Sequence, residues 1–252
     1  MGKNIAVAGK GGTGKTTISS LIIRDLLDNK KGTVLALDAD PNSNLNELLG
    51  IEVTNTIGGI VEDFKKEGAS LSSSIMYKDQ MVEMNIHQSV IEGNGFDLLV
   101  MGRGEGPGCY CAANNLFKKY IDMLQDNYDY VVMDNEAGME HLSRKTTHNI
   151  DYLLIVSDPS PRSILTAARL RDLSKELSIN AGEIFLVLNR VEGDIDPRLL
   201  DIISDNKFEV LGAINSDNNL PEIELEGKTV FDLQEDSISL KQVNGILSKI
   251  DI

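Results

Sequence analysis

The stretch NIAVAGKGGTGKTTISSLIIRDLLDN, which runs from Asn4 to Asn29, decides the fold of this 252-residue chain. It begins with the apolar run Asn4–Ala8, which predicts a strand, and it ends with a helical pattern over Lys15–Asn29. Between them stands GKGGTGKT, Gly9 to Thr16, which fits the pattern G-x-x-x-x-G-K-[ST]. In this pattern the glycines let backbone N–H groups converge on phosphate oxygens at the start of a helix. Strand, loop and helix in this order predict a nucleotide-binding loop.

The side chains and backbone groups of this loop have separate expected roles toward ATP and Mg²⁺. Lys15 is expected to reach the β and γ phosphates, the Thr16 hydroxyl to bind Mg²⁺, and Thr17 to support the α-phosphate. Backbone contacts with the phosphates are expected at Gly11, Gly12, Thr13 and Gly14. The alternative is an ordinary glycine-rich turn that caps a helix, but such a turn does not require Lys15 and Thr16.

The rest of the chain alternates short apolar runs with helical patterns. Runs rich in Val, Ile and Leu without polar alternation are typical of strands buried on both faces. Besides Asn4–Ala8, we predict strands at Thr33–Leu37, Phe96–Met101, Tyr130–Met133, Tyr152–Val156, Ile184–Leu188 and Phe208–Ile214. Helices are predicted at Lys15–Asn29, Asn114–Gln125, Ser163–Leu177, Pro197–Asp205 and Ser239–Ile250. This order predicts an α/β fold with a doubly wound, mostly parallel sheet in one P-loop domain over residues 1–252. The stretch Thr54–Gly95 is the least regular and is interpreted as irregular structure.

Charge and composition exclude several classes of partner. The chain has 24 Lys and Arg against 39 Asp and Glu, a net charge of −15, which repels nucleic acids and anionic lipids. Its apolar runs are far shorter than the roughly 20 residues that a membrane span needs. The N-terminal residues lack the apolar core of a secretory signal. We therefore expect a cytoplasmic protein that binds neither nucleic acid nor membrane.

Aspartates follow two predicted strands at the sheet edge where open α/β sheets bind ligands. Asp38 and Asp40 come after the strand Thr33–Leu37, and Asp134 ends another apolar run. An apolar strand that ends in an aspartate, as this one ends in Asp134, is a candidate Walker B motif, whose aspartate serves the Mg²⁺ that accompanies ATP. Gly138 lets the backbone approach the γ-phosphate and move when that phosphate leaves. The alternative for Asp38 and Asp40 is an Asp-Pro turn with a helix cap, and both interpretations are compatible.

Cys109 and Cys111 are the only cysteines and stand two positions apart. Two thiolates at this spacing can bind one Ni²⁺ or Zn²⁺, but a closed thiolate site usually has four ligands. The histidines do not supply the rest, because His87, His141 and His148 are isolated. A two-fold homodimer would complete the site with the same pair from each subunit. The alternative is a pair of buried thiols with no metal.

The loop Gly9–Thr16, which has an additional lysine at Lys10, resembles the deviant Walker A motif of MinD/ParA-type ATPases, relatives of the nitrogenase iron protein and of metal-insertion ATPases. The resemblance implies that Lys10 crosses a dimer interface and acts on the partner's nucleotide. It also implies that Asp40 orients the attacking water and that Asp38 helps to hold hydrated Mg²⁺. Asn189, after a predicted strand, would read the adenine through its amide. The alternative for Lys10 is a solvated side chain beside the loop.

A narrower resemblance covers essentially the whole chain. The deviant loop, the cysteine pair and the segment Asp134–Arg144 together resemble the CooC-type nickel-insertion ATPases, which mature carbon monoxide dehydrogenase, and the similar maturation ATPase of acetyl-CoA synthase. This resemblance implies a homodimer that hydrolyses ATP and delivers nickel to one of these two apo-enzymes. Lys10, Lys15 and Asp40 would then be the catalytic residues.

Two other functions remain open at the level of sequence. A reductase similar to the nitrogenase iron protein would hold an Fe–S cluster, but such proteins take cysteines from two separated segments. A positioning ATPase of the MinD/ParA type would cycle on a membrane or on DNA. In this chain, the C-terminal stretch Ser237–Ile252 carries only Lys241 and Lys249 as cations, so it suits an anionic surface poorly.

Overall fold

The computed structural model describes residues 2–68, 89–103, 121–138, 150–177, 179–250 and 252. They contain a sheet of eight strands: β1 (Lys3–Gly9), β2 (Val34–Asp38), β3 (Val90–Glu92), β4 (Phe96–Val100), β5 (Tyr130–Asp134), β6 (Ile150–Ser157), β7 (Ala181–Val191) and β8 (Val210–Asn215). The spatial order is β3-β4-β2-β5-β1-β6-β7-β8. All neighbours are parallel except β3, which runs antiparallel to β4 at the edge. The predicted α/β class with a mostly parallel sheet is confirmed.

Helices connect the strands. They are α1 (Lys15–Asp28), α2 (Leu45–Leu49), α3 (Ile57–Gly68), α4 (Pro161–Glu176), α5 (Pro197–Asp205), α6 (Asn219–Leu225) and α7 (Ile238–Leu247). Residues 121–124 are also helical. Short 3-10 turns occupy Gln125–Asn127, Val230–Asp232 and Ser248–Ile250. Within the described ranges, no helix combines the length and apolar character that crossing a bilayer requires.

Two apolar layers cover the two faces of the sheet, and β1 contributes to both. Ile5 and Val7 pack with side chains of α1 and α7 on one face, whereas Ala6 and Ala8 pack with α4 and α5 on the other. Successive strand residues point to opposite faces, so a strand covered on both sides must be apolar throughout. This is the physical reason that the strands read as continuous apolar runs.

The structure corrects the interpretation of Thr54–Gly95. This stretch contains helix α3 and the edge strand β3, although it had no regular pattern in sequence. Two glycines, Gly58 and Gly59, weaken the helical propensity of α3, and β3 has only three residues, held by its pairing with β4. The short helices α2 and α6 were also absent from the prediction. Tertiary contacts decide such elements more than local pattern does.

Some predicted boundaries move by a few residues. Helix α4 begins at Pro161 rather than Ser163, because the Ser160 hydroxyl accepts a hydrogen bond from the Ser163 N–H at 3.3 Å and Pro161 suits the first turn. The predicted helix Asn114–Gln125 is described only at its C-terminal end, from residue 121. The assignment of residues 1–252 to one domain stays a prediction.

Candidate nucleotide site

The loop between β1 and α1 turns sharply at two glycines. Gly12 has φ 81° and Gly14 has φ 88°, a left-handed region that residues with a Cβ rarely adopt. The Thr13 hydroxyl is buried and donates to the Lys10 carbonyl at 2.9 Å. The Lys15 ammonium lies 3.4 Å from the same carbonyl oxygen. The loop thus folds around the backbone carbonyl of Lys10 and places the N-terminus of α1 at the site, as anion binding requires.

Asn189, on β7, holds the loop from the opposite side. Its amide nitrogen donates to the Thr13 carbonyl at 2.8 Å. A Cβ built at Gly14 would lie 2.3 Å from that nitrogen, well inside van der Waals contact. Gly14 is therefore required both by its left-handed backbone and by the close approach of Asn189. The predicted base-reading residue and the predicted phosphate loop are in direct contact.

Asp38 and Asp134 lie side by side at the ends of β2 and β5, where they are register partners. Both are buried, with 0% and 1% of their surface exposed. The Asp38 carboxylate accepts the N–H of Asp40 at 3.0 Å and that of Leu45 at 3.1 Å. Burial, together with the charge of Asp134, still raises the pKa of Asp38 to about 7. Two carboxylates buried together in this way favour a cation between them.

Asp134 faces helix α1. The Ser19 hydroxyl donates to it at 3.1 Å, and the Thr16 side chain is a second hydrogen-bond partner. Burial raises the pKa of Asp134 to about 6, although these hydroxyls and the charge of Lys15 act in the opposite direction. Carboxylate and hydroxyl oxygens are the donors that Mg²⁺ prefers. The set Thr16, Asp38 and Asp134 therefore fits the Mg²⁺ predicted from the sequence, with waters and phosphates as the other ligands.

Asp40 and Gly138 lie on loops that flank the phosphate loop. Asp40 is half-buried, and its carboxylate accepts the backbone N–H of Asn42 at 2.8 Å and the side-chain amide of the same residue at 3.0 Å. Gly138 has φ 97°, and its N–H donates to the Gly9 carbonyl at 3.3 Å. Among the described residues, no atom lies within 4 Å of a Cβ built at Gly138. The predicted water-orienting and γ-phosphate loops therefore both reach this edge of the sheet.

The remaining predicted residues have different positions. The backbone of Gly11 runs beside Ala137, since a Cβ at Gly11 would lie 3.6 Å from that of Ala137. Lys10 is exposed, and Thr17 is half-buried in the first turn of α1. Cys109 and Cys111, the predicted Ni²⁺ or Zn²⁺ ligands, lie outside the described residues. In the part of the chain that the structure describes, no three His, Cys, Asp or Glu side chains are grouped to bind a metal ion.

Three site residues were missed in the sequence. Ser19 stands three positions after Thr16, so the helical period places both on the face toward Asp134, a signal that could have been used. Asn135 is 2% exposed, and its amide nitrogen donates to the Val7 carbonyl at 3.0 Å, which ties β5 to β1. Arg190 donates to the Gly12 carbonyl at 2.7 Å, and no local pattern indicates that contact.

Comparisons with known proteins agree with this geometry. Residues 5–230 match the family described as the CobQ/CobB/MinD/ParA nucleotide binding domain. An uncharacterised ATP-binding protein of Methanocaldococcus jannaschii is 39% identical over 98% of this chain and 97% of its own length. The carbon monoxide dehydrogenase accessory protein CooC of Rhodospirillum rubrum is 31% identical over 91% of this chain and 89% of its own length.

Solved structures share the fold at lower sequence identity. The cell division ATPase MinD of Pyrococcus furiosus superposes with a TM-score of 0.73 at 22% identity, over 100% of this chain and 99% of that one. The septum site-determining protein MinD of Pyrococcus horikoshii, solved with Mg-ADP, gives a TM-score of 0.72 at 20% identity, over 100% of this chain and 96% of that one. At these identities the likeness concerns the fold alone.

Proposed function

The chain belongs to the CobQ/CobB/MinD/ParA family of P-loop ATPases, and we propose that it is a homodimeric nickel-insertion chaperone driven by ATP. Its client would be the apo form of carbon monoxide dehydrogenase or of acetyl-CoA synthase. The family supplies the ATP-binding fold, whereas the metal, the dimer and the client belong to the proposal.

The observation that carries this proposal is the similarity to CooC of Rhodospirillum rubrum, a carbon monoxide dehydrogenase accessory protein, over 91% of the chain. The 31% identity to CooC exceeds the 22% that the chain shares with MinD of Pyrococcus furiosus, whose fold it has over its whole length. The same chain has a C-x-C pair, Cys109 and Cys111, whose thiolates suit Ni²⁺ or Zn²⁺. Four thiolates require two copies of the chain, so the cysteine pair and the dimer belong to one proposal.

Hydrolysis would use the residues that the fold brings to one edge of the sheet. Lys15 and the backbone N–H groups of the loop would hold the β and γ phosphates. Thr16, Asp38 and Asp134 would hold Mg²⁺, which neutralises charge on the phosphates when it is bound. Asp40 would orient the attacking water.

Lys10 would act from the partner subunit. Its side chain is exposed on the surface of the loop, so it is available to a second copy. A lysine that reaches the partner's phosphates would stabilise the charge of the transition state only in the closed dimer. Hydrolysis would then reopen the dimer, change the geometry of the four cysteines and release nickel to the client.

Asn189 supports adenine as the base. Its amide nitrogen is used on the Thr13 carbonyl, while its amide oxygen is an acceptor that suits the 6-amino group of adenine. Guanine has a carbonyl at that position and would place two acceptors together. The proposed nucleotide is therefore ATP.

The test combines light scattering with metal analysis on reduced, oxygen-free protein, with and without Ni²⁺, Zn²⁺ and ATP. The wild type should dimerise with one bound ion per two chains. Cys109→Ala/Cys111→Ala should lose the ion and stay monomeric in metal alone, while it still binds ATP. Asp40→Ala is the matched control, because it should retain the ion and lose hydrolysis.

The proposal fails if the double cysteine variant binds as much metal as the wild type. It also fails if the wild type dimerises with ATP but binds no metal through its cysteines. If both metal results are as expected, transfer of the ion to purified apo-carbon monoxide dehydrogenase and apo-acetyl-CoA synthase identifies the client. If neither apo-enzyme gains nickel from the loaded dimer, the protein binds the metal but does not insert it into these clients.

A further inference from the structure

Arg190 has a backbone conformation that is unusual for a residue in a strand. Its φ is 55°, in the left-handed region, and it lies within strand β7. The other non-glycine residues with positive φ in the described ranges occur just after a helix, at Lys30 and Lys207, or in the turn after Asp40, at Ser43. A left-handed residue with a side chain is strained, and such strain is usually stored where a function needs it.

The strain changes the direction of one side chain. In a regular strand, Asn189 and Arg190 would point to opposite faces of the sheet. The pairing of β7 with β8 is irregular between Leu188 and Val191, so this segment is a local bulge. As a result both side chains reach the phosphate loop: the Asn189 amide donates to the Thr13 carbonyl at 2.8 Å, and the Arg190 guanidinium donates to the Gly12 carbonyl at 2.7 Å.

Two successive carbonyls of the loop are therefore fixed from outside by two successive residues of β7. In a trans peptide the C=O and the following N–H point in opposite directions. A Thr13 carbonyl that is held toward β7 turns the Gly14 N–H away from β7, to the side where α1 begins. The Gly12 carbonyl fixes the preceding peptide, whose N–H, on Thr13, donates to the Lys10 carbonyl at 3.4 Å and so holds the curve of the loop. The orientation of these peptides decides whether a glycine-rich loop can bind phosphate.

We propose that Arg190 is a positioning residue for the phosphate loop, and that its left-handed backbone exists to bring the guanidinium onto Gly12. Asp158 assists it from the β6–α4 connection, where its carboxylate lies 3.8 Å from the guanidinium. Both side chains of that pair are about half exposed, at 56% and 40%, so the ion pair itself is weak. This inference rests only on nucleotide binding, which the family supports, and it does not depend on whether the protein binds nickel.

The test separates the guanidinium contact from the backbone strain. Arg190→Ala removes the contact and keeps a strained residue, whereas Arg190→Gly removes the contact and relieves the strain. Both variants should bind Mg-ATP and Mg-ADP about tenfold more weakly, with a raised KM and little change in kcat. Arg190→Gly should nevertheless melt at a higher temperature than Arg190→Ala. Arg190→Lys, which keeps a donor, should recover part of the affinity.

Arg169→Ala is the matched control, since Arg169 is an exposed arginine on α4, and it should bind nucleotide as the wild type does. Hydrogen exchange at the Thr13 amide of nucleotide-free protein, whose N–H belongs to the peptide of the Gly12 carbonyl and donates to the Lys10 carbonyl at 3.4 Å, should be faster in both Arg190→Ala and Arg190→Gly. Wild-type affinity in Arg190→Gly would overturn the proposal, because strain alone would then explain Arg190→Ala. A loss of kcat at unchanged KM would also overturn it, since that would place Arg190 on the reacting phosphate.

Discussion

At the scale of single residues, the site is dominated by two carboxylates that lie in the interior. Asp38 and Asp134 are register partners, and neither is accessible to solvent. Taking carboxylates out of water costs free energy, which hydrogen bonds from Leu45 and Ser19 offset only in part. Groups that cost stability in the free protein are expected to contribute to ligand binding.

The first prediction concerns Asp134→Asn. The asparagine keeps the shape and can still bond to the Ser19 and Thr16 hydroxyls, which can turn to accept from an amide. Without nucleotide and with a chelator at pH 8, the variant should be more stable than the wild type by about 1–3 kcal/mol, because a buried charge is gone. Its affinity for Mg-ATP should fall at least about tenfold. Urea unfolding and titration calorimetry measure the two effects.

Asp201→Asn is the control for this prediction, because Asp201 is an exposed aspartate on α5 and should change neither quantity. A variant at Asp134 that is less stable than the wild type in chelator would show that the carboxylate is stabilising in the free protein. That result would contradict the account of the pair.

The second prediction compares two glycines of the same loop. Gly12→Ala adds a Cβ that has no atom of the described residues within 4 Å, so its expected cost is that of φ 81°, about 1–2 kcal/mol. Gly14→Ala has the similar cost of φ 88° and also places its Cβ 2.3 Å from the Asn189 amide nitrogen. It should therefore be the more destabilising change, and it should lose more nucleotide affinity. Equal unfolding free energies for the two variants would exclude the contact with Asn189.

At the scale of elements, the site is formed by the connections that follow the parallel strands. The connection after β8 is held by hydrogen bonds from the start of α7. Asp217 is 9% exposed and accepts the Ser237 hydroxyl at 2.7 Å and the Ser239 hydroxyl at 2.8 Å. Asn219, the first residue of α6, donates its N–H to the same carboxylate at 3.0 Å. One side chain thus joins a strand end to two helices.

The third prediction follows from the ionisation of Asp217. Burial acts to raise its pKa, but the hydrogen bonds from Ser237 and Ser239 outweigh burial and lower the pKa below 3.8. An aspartate with a lowered pKa stabilises the fold at any pH above its pKa in the unfolded chain. This stabilisation is lost as the pH falls through the lower pKa that the group has in the folded protein. Asp217→Asn should therefore cost about 1–3 kcal/mol at pH 7 and progressively less below pH 4, by urea unfolding.

The exposed neighbour Asp236 provides the control, since Asp236→Asn should leave the unfolding free energy unchanged. A cost for Asp217→Asn that is the same at pH 7 and at pH 3 would mean that shape, and not charge, holds the connection.

At the scale of the whole molecule, the proposal requires two copies of the chain, each of which completes the other's site. The phosphate loop lies at the carboxyl edge of the sheet, and Lys10 is exposed there. An isologous dimer across this edge would give every site a lysine from its partner.

The fourth prediction tests this exchange by mixing two inactive variants. Lys10→Ala and Asp40→Ala should each lack ATPase activity as homodimers. In a mixed dimer, one site would have its own Asp40 and receive Lys10 from the partner. Equal mixtures should therefore recover about a quarter of the wild-type rate, because half of the dimers are mixed and each has one complete site. If Lys10 acts within its own subunit, the mixture should stay inactive.

The sequence by itself determined the fold class and the place of the phosphate loop. A loop that binds phosphate through its backbone needs glycines and a Lys-Thr pair at fixed spacing, and a doubly covered strand needs an unbroken apolar run. Both requirements are local, so they can be recognised in the sequence, in Asn4–Asn29 and in the apolar runs. The strands at the site all occur where they were predicted, and the elements that were missed are short ones held by their neighbours.

Only the tertiary structure decided which side chains meet. Asp38 and Asp134 become a pair because β2 and β5 are adjacent in the sheet. No local sequence pattern predicts that adjacency. Arg190 reaches Gly12 because one residue of β7 is left-handed, which reverses the direction of its side chain. These contacts join residues far apart in the chain, and they depend on strand order and on backbone geometry. Composition and spacing do not carry that information, so the geometry of the site had to come from the fold.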